Sequence, residues 1–145
     1  MSAQKRFDRE LFQKYDQLAR VVTTTYLESL GFEVQEHPDK YAQDLLAFKG
    51  DAGHCVECEV KLVWEGEDFP YPNVQLPKRK DKFFNVDTQF FIWNKPLEYA
   101  MTFWSYDVAT LEPVEVPNRY VHSGEYFYQI PMEMVTKVKA NASST

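Results

Sequence analysis

The chain has 145 residues, with 16 Lys and Arg against 22 Asp and Glu and a net charge of −6. That length supports one domain with its own core, and the acidity argues against a basic protein that coats nucleic acid in bulk. No run approaches the ~18 apolar residues of a membrane span, and the opening residues lack a signal peptide's apolar stretch, so a soluble, cytoplasmic protein is expected.

Residues 7 to 30 are predicted as a helix, because Leu11, Tyr15, Leu18, Val22, Tyr26 and Leu30 fall three or four apart on one stripe. Gly31 stands where helices end. A short strand over 32–35 and a turn at His37-Pro38-Asp39-Lys40 follow. Two runs of strand-like alternation, near 43–49 and 54–63, flank Gly50-Asp51-Ala52-Gly53, the signal of a hairpin with a four-residue loop. The stretch 65–73, with Pro70 and Pro72 beside Phe69 and Tyr71, reads as an ordered loop. Pro77 suits the first turn of a helix reaching Phe84. Thr88–Trp93 is nearly all apolar, as a strand covered on both faces would be. Asn94-Lys95-Pro96 turns the chain into a strand over 99–106, and Pro113 and Pro117 punctuate an irregular segment. A strand over 125–130, a short helix over 132–139 and a disordered tail at 141–145 complete the single domain, residues 1–140. This order predicts an α/β (α+β) fold, a mixed central sheet flanked by helices.

The hairpin carries the chemistry. With a four-residue loop, Phe48 opposes Cys55, Leu46 opposes Glu57 and Asp44 opposes Glu59. Alternation then puts Asp44, Glu57, Glu59 and Lys61 on one face. Opposed carboxylates, with Cβ atoms about 5 Å apart, repel unless neutralised, and a hard divalent cation such as Mg²⁺ is a natural neutraliser. Cys55 and Cys58 form a C-x-x-C, but residues three apart on a strand face opposite ways. Buried small hydrophobes are the expected role. Positive charge gathers in Lys78-Arg79-Lys80-Asp81-Lys82 and negative charge in Glu65-Gly66-Glu67-Asp68. A solvated surface is the plain alternative for both.

An acid opening the second strand and an acid-x-lysine triplet in the third, within this element order, resemble the PD-(D/E)XK nuclease superfamily, whose restriction-endonuclease-like core runs α-β-β-β-α-β. The resemblance covers residues 10 to 94 and leaves the last third as extra C-terminal strands. Glu59-Val60-Lys61 matches the triplet, and Asp44, followed by apolar Leu45-Leu46-Ala47-Phe48, matches the first acid. The literal Pro38-Asp39 falls on the wrong face in this register, and Gln43 holds the family's proline position. Where some branches, including archaeal-type Holliday junction resolvases, carry a glutamate on the first helix, this chain has Asp16 and Arg20.

The resemblance implies Mg²⁺, with Mn²⁺ able to substitute, held by Asp44, Glu59 and the backbone carbonyl of Val60, with Glu57 as a further ligand or a solvent-facing acid. Lys61 would orient the attacking water or stabilise developing negative charge. Arg79, Lys80 and Lys82 would contact phosphates, with Gln75 reaching toward the same face or serving as a polar cap. The implied activity is structure- or end-selective hydrolysis of DNA, RNA not being set aside, in repair, recombination or phage DNA processing. Small size suggests a homodimer, with Phe103, Trp104, Tyr126, Phe127 and Tyr128 either core or partly interfacial. The competing readings are an inactive nucleic-acid-binding or assembly module of the same fold, and a solvated sheet face in an unrelated one.

Overall fold

A computed structural model describes residues 9–118 and 121–140; the start of the predicted first helix and the tail at 141–145 lie outside these. The chain is α+β: a six-stranded mixed sheet and a three-stranded antiparallel sheet with helices. Helix α1 (Arg9–Ser29) ends at Gly31, whose φ of 97° needs no Cβ penalty. Strands β1 (Glu33–Glu36), β2 (Leu45–Lys49) and β3 (Ala52–Val60) form an antiparallel meander. A crossover through β4 (Asn73–Pro77) and a 3-10 helix (Lys78–Asn85) leads to β5 (Thr88–Trp93), parallel to β3. β6 (Tyr99–Trp104) and β9 (Thr136–Lys139) complete the large sheet in the order β1-β2-β3-β5-β6-β9. Between them run a short helix α2 (Ser105–Val108) and strands β7 (Val114–Asn118) and β8 (Val121–Pro131); the small sheet has the order β4-β8-β7.

Each face of the large sheet has its own core. Val56, Cys58, Phe91 and Trp93 pack with Ala19 and Leu27 of α1. On the opposite face Phe90, Ile92, Met101 and Phe103 pack with Val74, Leu76, Tyr128 and Ile130 of the small sheet. Trp93, fully buried, donates its indole N–H to Thr23 Oγ1 at 2.8 Å and so ties α1 to the central strand. β5 is the two-sided strand that its apolar run predicts.

Several expectations are corrected. The buried stripe of α1 is Ala19, Thr23 and Leu27, with Val22 and Tyr26 beside it, while Leu11 and Leu30 are exposed. Small residues let the helix lie close on the sheet, and the larger ones flank it. The helix predicted after Pro77 is a 3-10 helix that follows a strand; β4 is visible in hindsight from buried Val74 and Leu76 alternating with exposed Gln75. The irregular segment holds edge strand β7, where the register shift between Val116 and Asn118 accommodates Pro117, which has no N–H to donate. The predicted helix over 132–139 is a 3-10 turn, Met132–Met134, followed by β9, because β6 would otherwise present an unpaired edge.

The hairpin register also differs. The turn is the two residues Gly50 and Asp51, with Gly50 at φ 63°, and Leu45 opposes Val56 while Leu46 opposes Cys55. The predicted opposition of Leu46 to Glu57 and Asp44 to Glu59 is therefore displaced by two residues. A slip of two leaves every side chain on its face.

Candidate active site

β2 and β3 pair as far as Leu45 and Val56 and then part. Beyond that point bonds between backbone and side chain replace the ladder: the Asp44 backbone N–H donates to Glu57 Oε1 at 3.3 Å, and Asp44 Oδ2 accepts the backbone N–H of Cys58 at 3.0 Å. β3 stays paired with β5 to Val60 and Trp93, and the Lys61 N–H donates to the Trp93 carbonyl at 2.8 Å. The parting opens a cleft of about 240 Å³ in which Asp44, Glu57, Glu59 and Val60 meet Asp16 of α1 and Arg79 and Lys80 of the 3-10 helix.

Glu57 and Glu59 neighbour Phe90 and Ile92 on β5, so both lie on the sheet face that carries the small sheet and the 3-10 helix. From that helix Lys80 reaches in and donates to Glu57 Oε2 at 2.6 Å. Arg20 stands 3.9 Å from Asp44 Oδ1. Burial and the Asp44 charge push the Glu57 carboxyl up to about 7, against the opposing pull of Lys80. Burial also raises Glu59, while Lys80, Lys61 and Arg79 pull it down. Asp16 is raised by burial and by Asp44. Burial lowers the Lys80 ammonium, but Glu57, Glu59 and Asp44 outweigh it, and the net shift is upward. The acids thus share a region of strong negative potential, and one lysine bears most of its compensation.

The residues proposed from sequence are divided between two recesses. Asp44, Glu57, Glu59, Val60, Arg79 and Lys80 line the cleft. Lys61 and Gln75 line an adjoining recess with Phe69, Tyr71, Pro72 and Asn73; Lys61 is near enough to Glu59 to act on its charge. Lys82 is exposed, its Nζ 5.0 Å from the Phe83 ring centroid. Asp39 sits in the turn after β1, where its Oδ1 accepts the Tyr41 N–H at 2.9 Å. Cys55 is half-buried and Cys58 buried, both free thiols.

Sequence reading missed the ion pair of Lys80 and the inward placement of Arg20. Helical spacing puts Asp16 and Arg20 on one face, which was the available signal; nothing local to the 3-10 helix shows which of its cations turns inward. The acids and the Val60 carbonyl are all-oxygen donors, and their chemistry fits a hard divalent cation. Among the described residues, however, no group of three or more His, Cys, Asp or Glu side chains is already arranged to hold a metal. Lys80 occupies the place of that charge. Among the described residues, no helix is long and apolar enough to cross a membrane. Comparison with protein-family models and with curated proteins finds no match.

Proposed function

We propose that this chain is an intracellular, metal-dependent nuclease of PD-(D/E)XK type that hydrolyses phosphodiester bonds, DNA being the favoured substrate. The observation that carries the reading is the gathering of Asp44, Glu57 and Glu59, with Arg79 and Lys80, where β2 and β3 part. Support also comes from the element order, α1-β1-β2-β3 and then β5, in which a strand and a 3-10 helix stand where the family has its second helix. Asp44, Glu59 and the Val60 carbonyl would hold Mg²⁺ or Mn²⁺, with Glu57 available as a further ligand once Lys80 leaves it. The bound cation would polarise the phosphoryl group and lower the pKa of a water.

The chain's own residues supply the rest. Arg79 and Lys80 neutralise and orient the substrate phosphate at the cleft, and Lys82 extends that cationic track along the exposed side of the same helix. Lys61, flanking Glu59, stabilises charge that develops on the attacked phosphate. In-line attack by water, by analogy with the family, leaves a 5′-phosphate. Of the aromatics expected at a homodimer interface, Tyr126 is about half exposed and so open to a second copy of the chain.

One observation favours a second reading, an inactive nucleic-acid-binding module: Glu57 is already neutralised by Lys80 and Asp44 lies against Arg20. Incubation with plasmid, single-stranded, branched DNA and RNA, with Mg²⁺ or Mn²⁺ and then with EDTA, separates the two. The expected result is metal-dependent cleavage, reduced about 100-fold or more in Lys61→Ala. No cleavage of any substrate, or cleavage that Lys61→Ala leaves unchanged, would overturn the enzyme reading.

A further inference from the structure

The recess next to the acid cleft is larger than the cleft itself, about 370 Å³, and is built differently. One wall is the outward edge of β4. Val74 and Leu76 are buried in the core between the sheets, so alternation turns Asn73 and Gln75 toward the recess. The other wall is the loop from Lys61 to Pro72, and it is anchored at several points. Trp64 is fully buried, its backbone N–H donating to the Lys61 carbonyl at 3.1 Å and its carbonyl accepting the backbone N–H of Lys95 at 2.7 Å. The Gly66 carbonyl accepts from the buried Asn94 side chain at 2.9 Å. From that anchor an aromatic series leads outward: Phe69 sits edge-on to Trp64 at 5.3 Å, and Tyr71 edge-on to Phe69 at 5.5 Å. Tyr71, at the end of the series, is 45% exposed, and Lys61 Nζ stands 5.8 Å from its centroid.

A supported aromatic face, two side-chain amides and an ammonium group facing one recess suit a flat heterocycle with donors and acceptors on its edge. Carboxamides offer both donors and an acceptor to such an edge. Aromatic stacking is the usual way a protein holds an unpaired base. Lys61 connects the two recesses, because it lines this one and acts on Glu59 in the other. We propose that the recess binds the nucleobase of the nucleotide whose phosphate lies in the acid cleft. This rests on the nuclease reading and narrows it: a base stacked on Tyr71 has left any duplex, so the substrate is a single strand, a flap or a frayed end.

The test is binding in EDTA, where no cleavage interferes, with a short DNA strand carrying 2-aminopurine as a fluorescent stacking reporter. The same sequence as a duplex, as RNA and as free deoxyadenosine monophosphate supplies the comparison arms. Expected are a stacking-dependent fluorescence change with the single strand, tighter binding of the strand than of duplex, and about tenfold weaker strand binding in Tyr71→Ala, the loss of one base–aromatic stack. Tyr71→Phe retains the ring and should bind like wild type, and Gln75→Ala should weaken strand binding while leaving duplex binding alone. RNA binding equal to DNA supports the recess and means that it does not read the sugar.

Equal binding of strand and duplex, unaffected by Tyr71→Ala, would overturn this proposal and leave the nuclease reading in place. So would tight binding of the free nucleotide without binding of the strand. Failure of every nucleic acid to bind would overturn this proposal, and the cleavage assay with Mg²⁺ or Mn²⁺ decides the nuclease reading separately.

Discussion

The environment of Glu57 is the most consequential residue-scale feature of the molecule. Its carboxyl is buried beside Asp44 and bonded by Lys80, and its pKa stands at about 7 against an ordinary value of 4.5. Below 4.5 the group is protonated in the folded and unfolded chain alike. Between 4.5 and about 7 the unfolded chain ionises it more readily, so the folded state loses stability as pH rises through that window. Urea unfolding followed across this range in EDTA should show the loss, and Glu57→Gln should flatten the slope. An unchanged slope in the variant would mean that the burial of this carboxyl is not what the titration reports. The register slip belongs at this scale too. Residue types showed which side chains share a face, because strand alternation is local. They did not show which acid opposes which, because Gly50 alone allows a tighter turn than the Gly-Asp-Ala-Gly break implies.

Among the elements, the turn after β5 holds the site's outer wall. Asn94, fully buried, accepts the N–H groups of Glu98 and Tyr99 at its Oδ1 and donates to the Gly66 carbonyl. It thereby joins the β5–β6 connection, where Leu97 takes a φ of 63°, to the loop bearing Phe69 and Tyr71. Asn94→Ala would leave two amides and a carbonyl without these partners and should cost about 3 kcal/mol, measured by the urea midpoint. A cost near zero would show the wall to be held by Trp64 alone. The elements that local pattern predicted well, α1 and β5, are long or strongly apolar, whereas the strand predicted over 99–106 stops at Trp104, where α2 begins. β4, β7 and β9 are short, interrupted by proline or polar residues, and exist because another strand offers an edge.

For the whole molecule, net charge and local charge point in different directions. The chain is acidic, at −6, yet the 3-10 helix presents Arg79, Lys80 and Lys82 at and beside the cleft. If each neutralises one phosphate of a single strand, the affinity should fall with salt at a log–log slope of about −2, and Lys82→Ala should reduce the slope by about 0.7. Anisotropy titrations at several salt concentrations in EDTA would measure both. A slope near zero would remove the 3-10 helix from the binding surface. Of the C-terminal aromatics, Phe103 and Tyr128 belong to the core between the two sheets and Tyr126 is exposed. A stripe of aromatics in sequence did not distinguish these fates, since burial depends on what the second sheet covers.

The sequence alone was enough for an α+β chain, for a hairpin at 45–60, and for placing Glu57 and Glu59 on one face of it. These follow from periodicities that act over a few residues and survive a two-residue slip. Only the tertiary structure decided how the acids are neutralised: Lys80 comes from 23 residues beyond Glu57, and Arg20 from a helix packed beside the sheet. It also placed Lys61 at the boundary between the cleft and an aromatic recess. Charge compensation depends on distance in space, and the crossover that brings the 3-10 helix over β3 has no counterpart in local pattern.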